Sequence, residues 1–338
     1  MWSLENETSF AAERTWVRDR DGAEVWVVAV KGTYTLTPGG VTSLAEEQEE
    51  VLRAPVYWGE PGRSSLRYDA DLILTKPTTD ILLHGHAYPP GGRPAPQVDV
   101  TLRVGDVTKT LRVFGDRTWR KTALGLTLSA PKPFERMPIV YERAFGGIDL
   151  RPGEPQPQAW EPGNPIGVGF ATSPNHLAEQ PAPNIEDPRA SMTHWKQRPR
   201  PSGFGPIPRD WSPRLGYAGT YDDRWEQARR PLLPLDFDDR HYQCAPEDQQ
   251  SAQPLRGGEP VELRNLTSAG VLRFELPRIF LGFTTEIGDE VRYHKASLHT
   301  VLLEPDALRL IMTWQTALPC HQVVYKLLTT RIYEKERL

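Results

Sequence analysis

The chain has 338 residues, enough for one large domain or two ordinary ones. Its 40 basic and 44 acidic residues leave a formal charge of −4, without the basic excess that tracks phosphates, so nucleic acid is not the favoured partner. No run approaches the roughly 18 apolar residues of a membrane helix, and two cysteines, Cys244 and Cys320, make no disulfide framework.

In chain order, Met1-Trp2-Ser3-Leu4-Glu5-Asn6-Glu7 sets acidic residues where a secretory signal needs positive charge and an apolar run, so the expected location is cytoplasmic. Residues 23–36 (AEVWVVAVKGTYTL) are rich in β-branched and aromatic side chains and predict a strand. Residues 46–52 predict a helical turn or two, and 81–86 another apolar strand. Val98, Val100, Leu102 and Val104 alternate with polar neighbours, Gly105-Asp106 supplies a turn, and 110–114 returns. That is the clearest hairpin in the chain. A short strand follows at 125–129.

From 149 to 260 the apolar periodicity stops, yet Trp160, Phe170, Trp195, Phe204, Trp211, Tyr217, Tyr221, Trp225, Phe237 and Tyr242 recur throughout. Disordered segments lack such rings, because they cannot offset the entropy of ordering without them. Proline, 33 residues here, is about twice its usual share while glycine, 27 residues, is near average, which favours rigid turns over floppy linkers. The stretch reads as an ordered, irregular layer. Within it Asp222-Asp223 caps a short helix over 224–230, ended by Pro231. Strands resume at 261–266 and 271–276, then at 300–304 and 308–314 around Pro305-Asp306-Ala307, and at 323–333.

The reading is a mainly β fold of antiparallel, sandwich-like sheets with little helix. Two strand-rich parts, 1–148 and 261–338, flank the irregular Pro/Gly/Trp-rich insert at 149–260, which packs on the sheets. Whether the two parts form one compact unit stays open at this stage.

Candidate chemistry is weak. His84 and His86 lie two apart on one strand face, with His294 or His299 as further ligands, but only two of the three or four ligands of a metal site are placed. Cys320 and His321 are adjacent and so point to opposite faces, and Cys244 near His241 has no supporting signature. The acid pairs Asp222-Asp223, Asp238-Asp239 and Glu186-Asp187 suit caps and turns better than a glycosidase. Gly146-Gly147 and Gly257-Gly258 lack the spacing of a phosphate loop. The expectation is no catalytic residue, no metal and no cofactor. An aromatic–Arg–Gly set stands out instead: Trp58, Arg67, Arg117, Trp119, Tyr141 and Arg143 read as structural anchors that pin long loops to a sheet.

The blocks YWGEPGRSSLRYDADL, LRVFGDRTW, PFERMPIVYERAFGGID, NPIGVGF, PNIEDP, GFGPIPRDWSPR, AGTYDDRW, PLLPLDFD and LRGGEPVELRNLT, in this order, resemble the domain of unknown function 2169 family. The resemblance implies a cytosolic adaptor or chaperone of bacterial type VI secretion, one that helps load a toxin effector or a PAAR-like tip protein onto the VgrG spike. It supplies no catalytic residues. The rings expected to meet such a partner are Trp160, Phe170, Trp195, Phe204, Trp211 and Trp225. The rival expectations are an enzyme acting on carbohydrate or peptide in a cleft between the β parts, and a structural component of the secretion apparatus.

Overall fold

Strand-forming sequence opens the chain: β1 (Ser3–Asn6), β2 (Ala11–Arg18) and β3 (Glu24–Leu36), the last almost wholly buried. The computed structural model describes residues 2–123, 125–149, 156–157 and 159–335. Further along lie β4 (Asp80–Leu83), the hairpin β5 (Gln97–Val104) and β6 (Val107–Phe114), and β7 (Ile185–Glu186). Then follow β8 (Pro260–Arg264), β9 (Val271–Glu275), β10 (Leu281–Ile287), β11 (Glu290–Lys295), β12 (Ser297–Glu304), β13 (Arg309–Pro319) and β14 (Leu327–Glu334). The described residues hold two short α-helices, Pro174–Leu177 and Asp223–Ala228. The fold is mainly β.

Each of the three larger sheets draws strands from both ends of the chain. One runs β2-β3-β13-β12-β4, with Thr42–Leu44 added beside β3; a second runs β7-β6-β5-β8-β9; a third runs β1-β14-β10-β11. Pairing is antiparallel except at β1–β14 and β12–β4. The terminal regions therefore complete one another's sheets and are not separate β units. The alternating residues of β5 and β6, such as Val100, Leu102, Leu111 and Val113, meet Trp26, Val28, Val30 and Leu310 in one continuous core.

The expected hairpins occur at β5–β6, β8–β9 and β12–β13. Asp222 caps the helix Asp223–Ala228 by accepting from the Trp225 N–H at 2.9 Å. Residues 46–52 are not helical. There the Gln48 amide accepts from the Thr33 N–H at 2.8 Å and donates to the Thr33 carbonyl at 3.1 Å, so a side chain takes over pairing along β3.

The insert closes the outer edges of two sheets. On β4 the Leu83 N–H donates to the Phe204 carbonyl at 3.1 Å, and the Gln249 amide donates to the Ile81 and Phe204 carbonyls at 2.8 and 2.9 Å. On β6, β7 pairs at Arg112 and Val113, and the Phe114 N–H donates to the Asn184 carbonyl at 2.7 Å. Unpaired edges invite aggregation, and this chain covers two of them with its own irregular segment.

Because Phe204 is wholly buried in the main core, Phe204→Ala should cost about 3–5 kcal/mol in urea unfolding. A loss below about 1 kcal/mol would show that the insert does not seat this ring.

Candidate partner-binding surfaces

The six rings expected on a partner surface divide into three groups. Phe204 and Trp211 are interior residues and are removed from that surface. Trp211 is 3 % exposed and packs edge-on against Tyr141 at 5.7 Å between ring centroids. The reason is geometric: the insert wedges between sheet edges, so residues 202–206, with Trp211 and Arg214, point inward. Phe170, Trp195 and Trp225 are half-buried. Phe170 lies under the Arg198 guanidinium and, with Trp195, borders a satellite core of Trp119, Phe145, Ala171, Leu177, Ala182 and Met192. Trp225 donates its indole N–H to the Leu232 carbonyl at 2.8 Å and meets Tyr221 at 4.7 Å. Trp160 is 53 % exposed and pairs across a short two-stranded ladder with Ile148, itself 49 % exposed. Leu215, Tyr221 and Leu235 add exposed apolar side chains on the same insert.

Around these rings the aromatic–Arg set and a group of buried polar side chains tie loops down. Arg67 stacks over Trp58 and Tyr68 at 4.6 and 4.8 Å, and its carbonyl meets the His84 Nε2 at 2.5 Å. His86 bonds Asp306 at 2.6 Å, so each imidazole is engaged within the fold. Arg117 covers Phe114, donates to the Pro183 carbonyl and pairs with Glu186. Burial pushes the Arg117 guanidinium down and the Glu186 carboxyl up, so their attraction only partly offsets desolvation. Trp119 is fully buried, Tyr141 donates its hydroxyl to the Gly205 carbonyl at 3.2 Å, and Arg143 bridges Asp116 and Asn184.

Sequence reading missed a second set. Arg214 of the insert donates to the Ile207 and His241 carbonyls and to Asp69 at 2.5 Å. Burial opposes ionisation of Asp69, but Arg214 and Arg209 outweigh it and hold the carboxyl below its ordinary range. Lys76 pairs with Asp80 at 2.6 Å, and Asp80 also accepts the Cys244 N–H at 2.8 Å. Burial pushes the Cys244 thiol up and keeps it protonated, the state of an inert interior thiol. Lys76 and Asp80 are only four positions apart, but nothing local marks the links to the insert, since Arg214 and Asp69 lie 145 positions apart and Cys244 and Asp80 164.

A cleft of about 890 Å³ lies between β6 and the insert. Lys109 lines it. Burial pushes its ammonium down, opposed by Asp248 at 2.8 Å. Asp99 pairs with Arg112, Asp187 with Arg189, and Glu247 accepts from the Tyr217 hydroxyl. Each of these three carboxylates is engaged with a neighbouring side chain.

Residues 21–315 match the family described as "Uncharacterized protein conserved in bacteria (DUF2169)". The chain belongs to this family. No curated protein and no solved structure matches it.

This DUF2169 chain buries His84 and His299 and half-buries His294. Burial pushes His84 down, His294 down to about 4 and His299 down to about 3. Unfolding restores a value near 6.5, so the unfolded chain takes up protons that the folded chain refuses. The stability they support is complete above about pH 6.5 and falls with acidity, for His294 and His299 by about 1.4 kcal/mol each per pH unit between roughly pH 6 and 4. Asp69, whose folded value is depressed, adds a further loss below about pH 4. Urea midpoints taken from pH 7 to pH 4 should show this decline, shallower in His299→Gln; a midpoint constant with pH would contradict it.

Proposed function

We propose that this DUF2169 chain is a non-enzymatic adaptor that helps load an effector or a PAAR-like tip protein onto the VgrG spike of a bacterial type VI secretion system, working in the cytoplasm before firing. The observation that carries this reading is the mounting of exposed rings on an insert that is itself anchored by buried contacts. Trp160 and Ile148 face each other across a short two-stranded ladder, and Tyr221 packs on the half-buried Trp225, whose indole donates to the Leu232 carbonyl. Such side chains have few rotamers to lose on binding, and the rigid backbone adds little ordering cost. An adaptor needs that: it covers an apolar or strand-edge surface that would otherwise aggregate, and it must later release it. Aromatic residues also dominate interface hot spots.

The reading is tested by co-expressing the full chain with a tip, spike and effector protein encoded beside it. Co-purification with one of them is expected, and Trp160→Ala with Ile148→Ser should weaken that complex by about tenfold or more. Loss of the pairing altogether with all three candidates would refute the adaptor role. Unchanged affinity in the double variant would exclude the Trp160 patch as its surface.

A further inference from the structure

Away from the rings, a groove of about 1000 Å³ opens where the end of the insert meets the approach to β10 and the junction of β11 with β12. Its floor is apolar, with Leu281 and Trp314 buried beneath it and Phe280 50 % exposed at its side. The charged lining consists of Arg256, Arg278, Lys295 and Lys335, with no carboxylate among the lining residues. Among the described residues none of these four forms an ion pair. Elsewhere Arg112, Arg117, Arg214, Arg273 and Arg309 are matched with carboxylates; what sets the groove apart is that its four cations line one apolar-floored depression and no acid does.

Two of the cations are set in place by glycines. The Arg278 guanidinium lies flat against Gly258, where a Cβ would fall 1.9 Å from its Nε. The Lys335 stem crosses Gly282, where a Cβ would fall 2.7 Å from its Cε. Gly257 and Gly258 both have positive φ, +86° and +85°, so the Arg256-Gly257-Gly258 turn is a backbone shape that other residues would strain. The turn thus has a use: it presents Arg256 and makes room for Arg278.

We propose that this groove docks an acidic segment of a partner protein, an extended stretch that lays a large apolar side chain on the Phe280–Trp314 floor and sets carboxylates against Arg278, Lys335, Lys295 and Arg256. The cations come from four separate stretches of the chain around an apolar floor, and that floor suits an apolar side chain, which a lone phosphate does not offer. An extended chain places alternate side chains on opposite faces, which fits acids at the rim and an apolar group below. The inference reaches past the secretion reading: it fixes the chemistry of a bound segment whatever protein carries it, and the groove shares no residue with the Trp160 patch.

The test is selection of random dodecapeptides displayed on phage against the full chain. Enriched sequences should combine Asp or Glu with Phe, Trp or Leu. A fluorescein-labelled synthetic copy of the most enriched peptide should bind about tenfold more weakly to Arg278→Glu/Lys335→Glu, and more weakly as salt rises. Arg256→Glu/Lys295→Glu gives the same reading if the first variant does not fold, and Trp160→Ala should leave peptide affinity unchanged. Selection that yields no acidic sequences, affinity unmoved by either charge reversal, or complete displacement by inorganic phosphate would each overturn the proposal.

Discussion

The Phe204 carbonyl is the point on which the rest of the structure depends. It accepts from the Leu83 N–H on the edge of β4 and from the buried Gln249 amide, while the Phe204 ring fills the main core beside it. Without that carbonyl the outer edge of β4, on the side away from β12, would be left open inside the molecule, and a buried unpaired N–H costs about 1–3 kcal/mol. With it, a segment of little regular structure becomes the outer layer of two sheets. The irregularity of the insert follows from this duty: it must pair with strand ends, fill ring-sized hollows and turn sharply between them, and proline and glycine supply those turns.

Buried charge then fixes where the layer sits. The Arg214–Asp69 pair, and the bond from the Cys244 N–H to Asp80, itself paired with Lys76, join the insert to the first half of the chain. Pairs of this kind add little net stability over apolar packing, yet removing one partner leaves an uncompensated buried charge and is strongly unfavourable. Their effect is to make displaced registers of the insert costly. A surface held in one register in this way keeps Trp160 and Tyr221 presented without an ordering penalty, which is what links the packing to the proposed adaptor role.

Much of the fold was legible from local pattern. The alternation of Val98, Val100, Leu102 and Val104 and the Gly105-Asp106 turn specify the β5–β6 hairpin, and Asp222 marks a capped helix of the insert. Other elements carry no such signal. β1 and β2 are short on apolar alternation because they lie at sheet edges, and β11 exposes Val291 and Tyr293. Gln48 misled because a polar residue amid acids resembles a helical turn, whereas its amide mimics a strand. Ring type alone did not distinguish inside from outside: Phe204 and Trp211 are core, Trp160 is surface, and only the long-range pairing of the insert with β4 separates them. The cationic groove was invisible for the same reason, since its four cations come from distant segments.

Hydrogen exchange of the full chain, resolved by peptide, tests the central claim most directly. If the insert is an integral layer, amides in 200–215 and 240–251, together with Leu83, should exchange as slowly as those of β3 and β13, through global unfolding alone. Exchange of those insert amides within seconds while β3 and β13 stay protected would contradict it, because the insert would then be a separable flap and not the layer that completes the sheets.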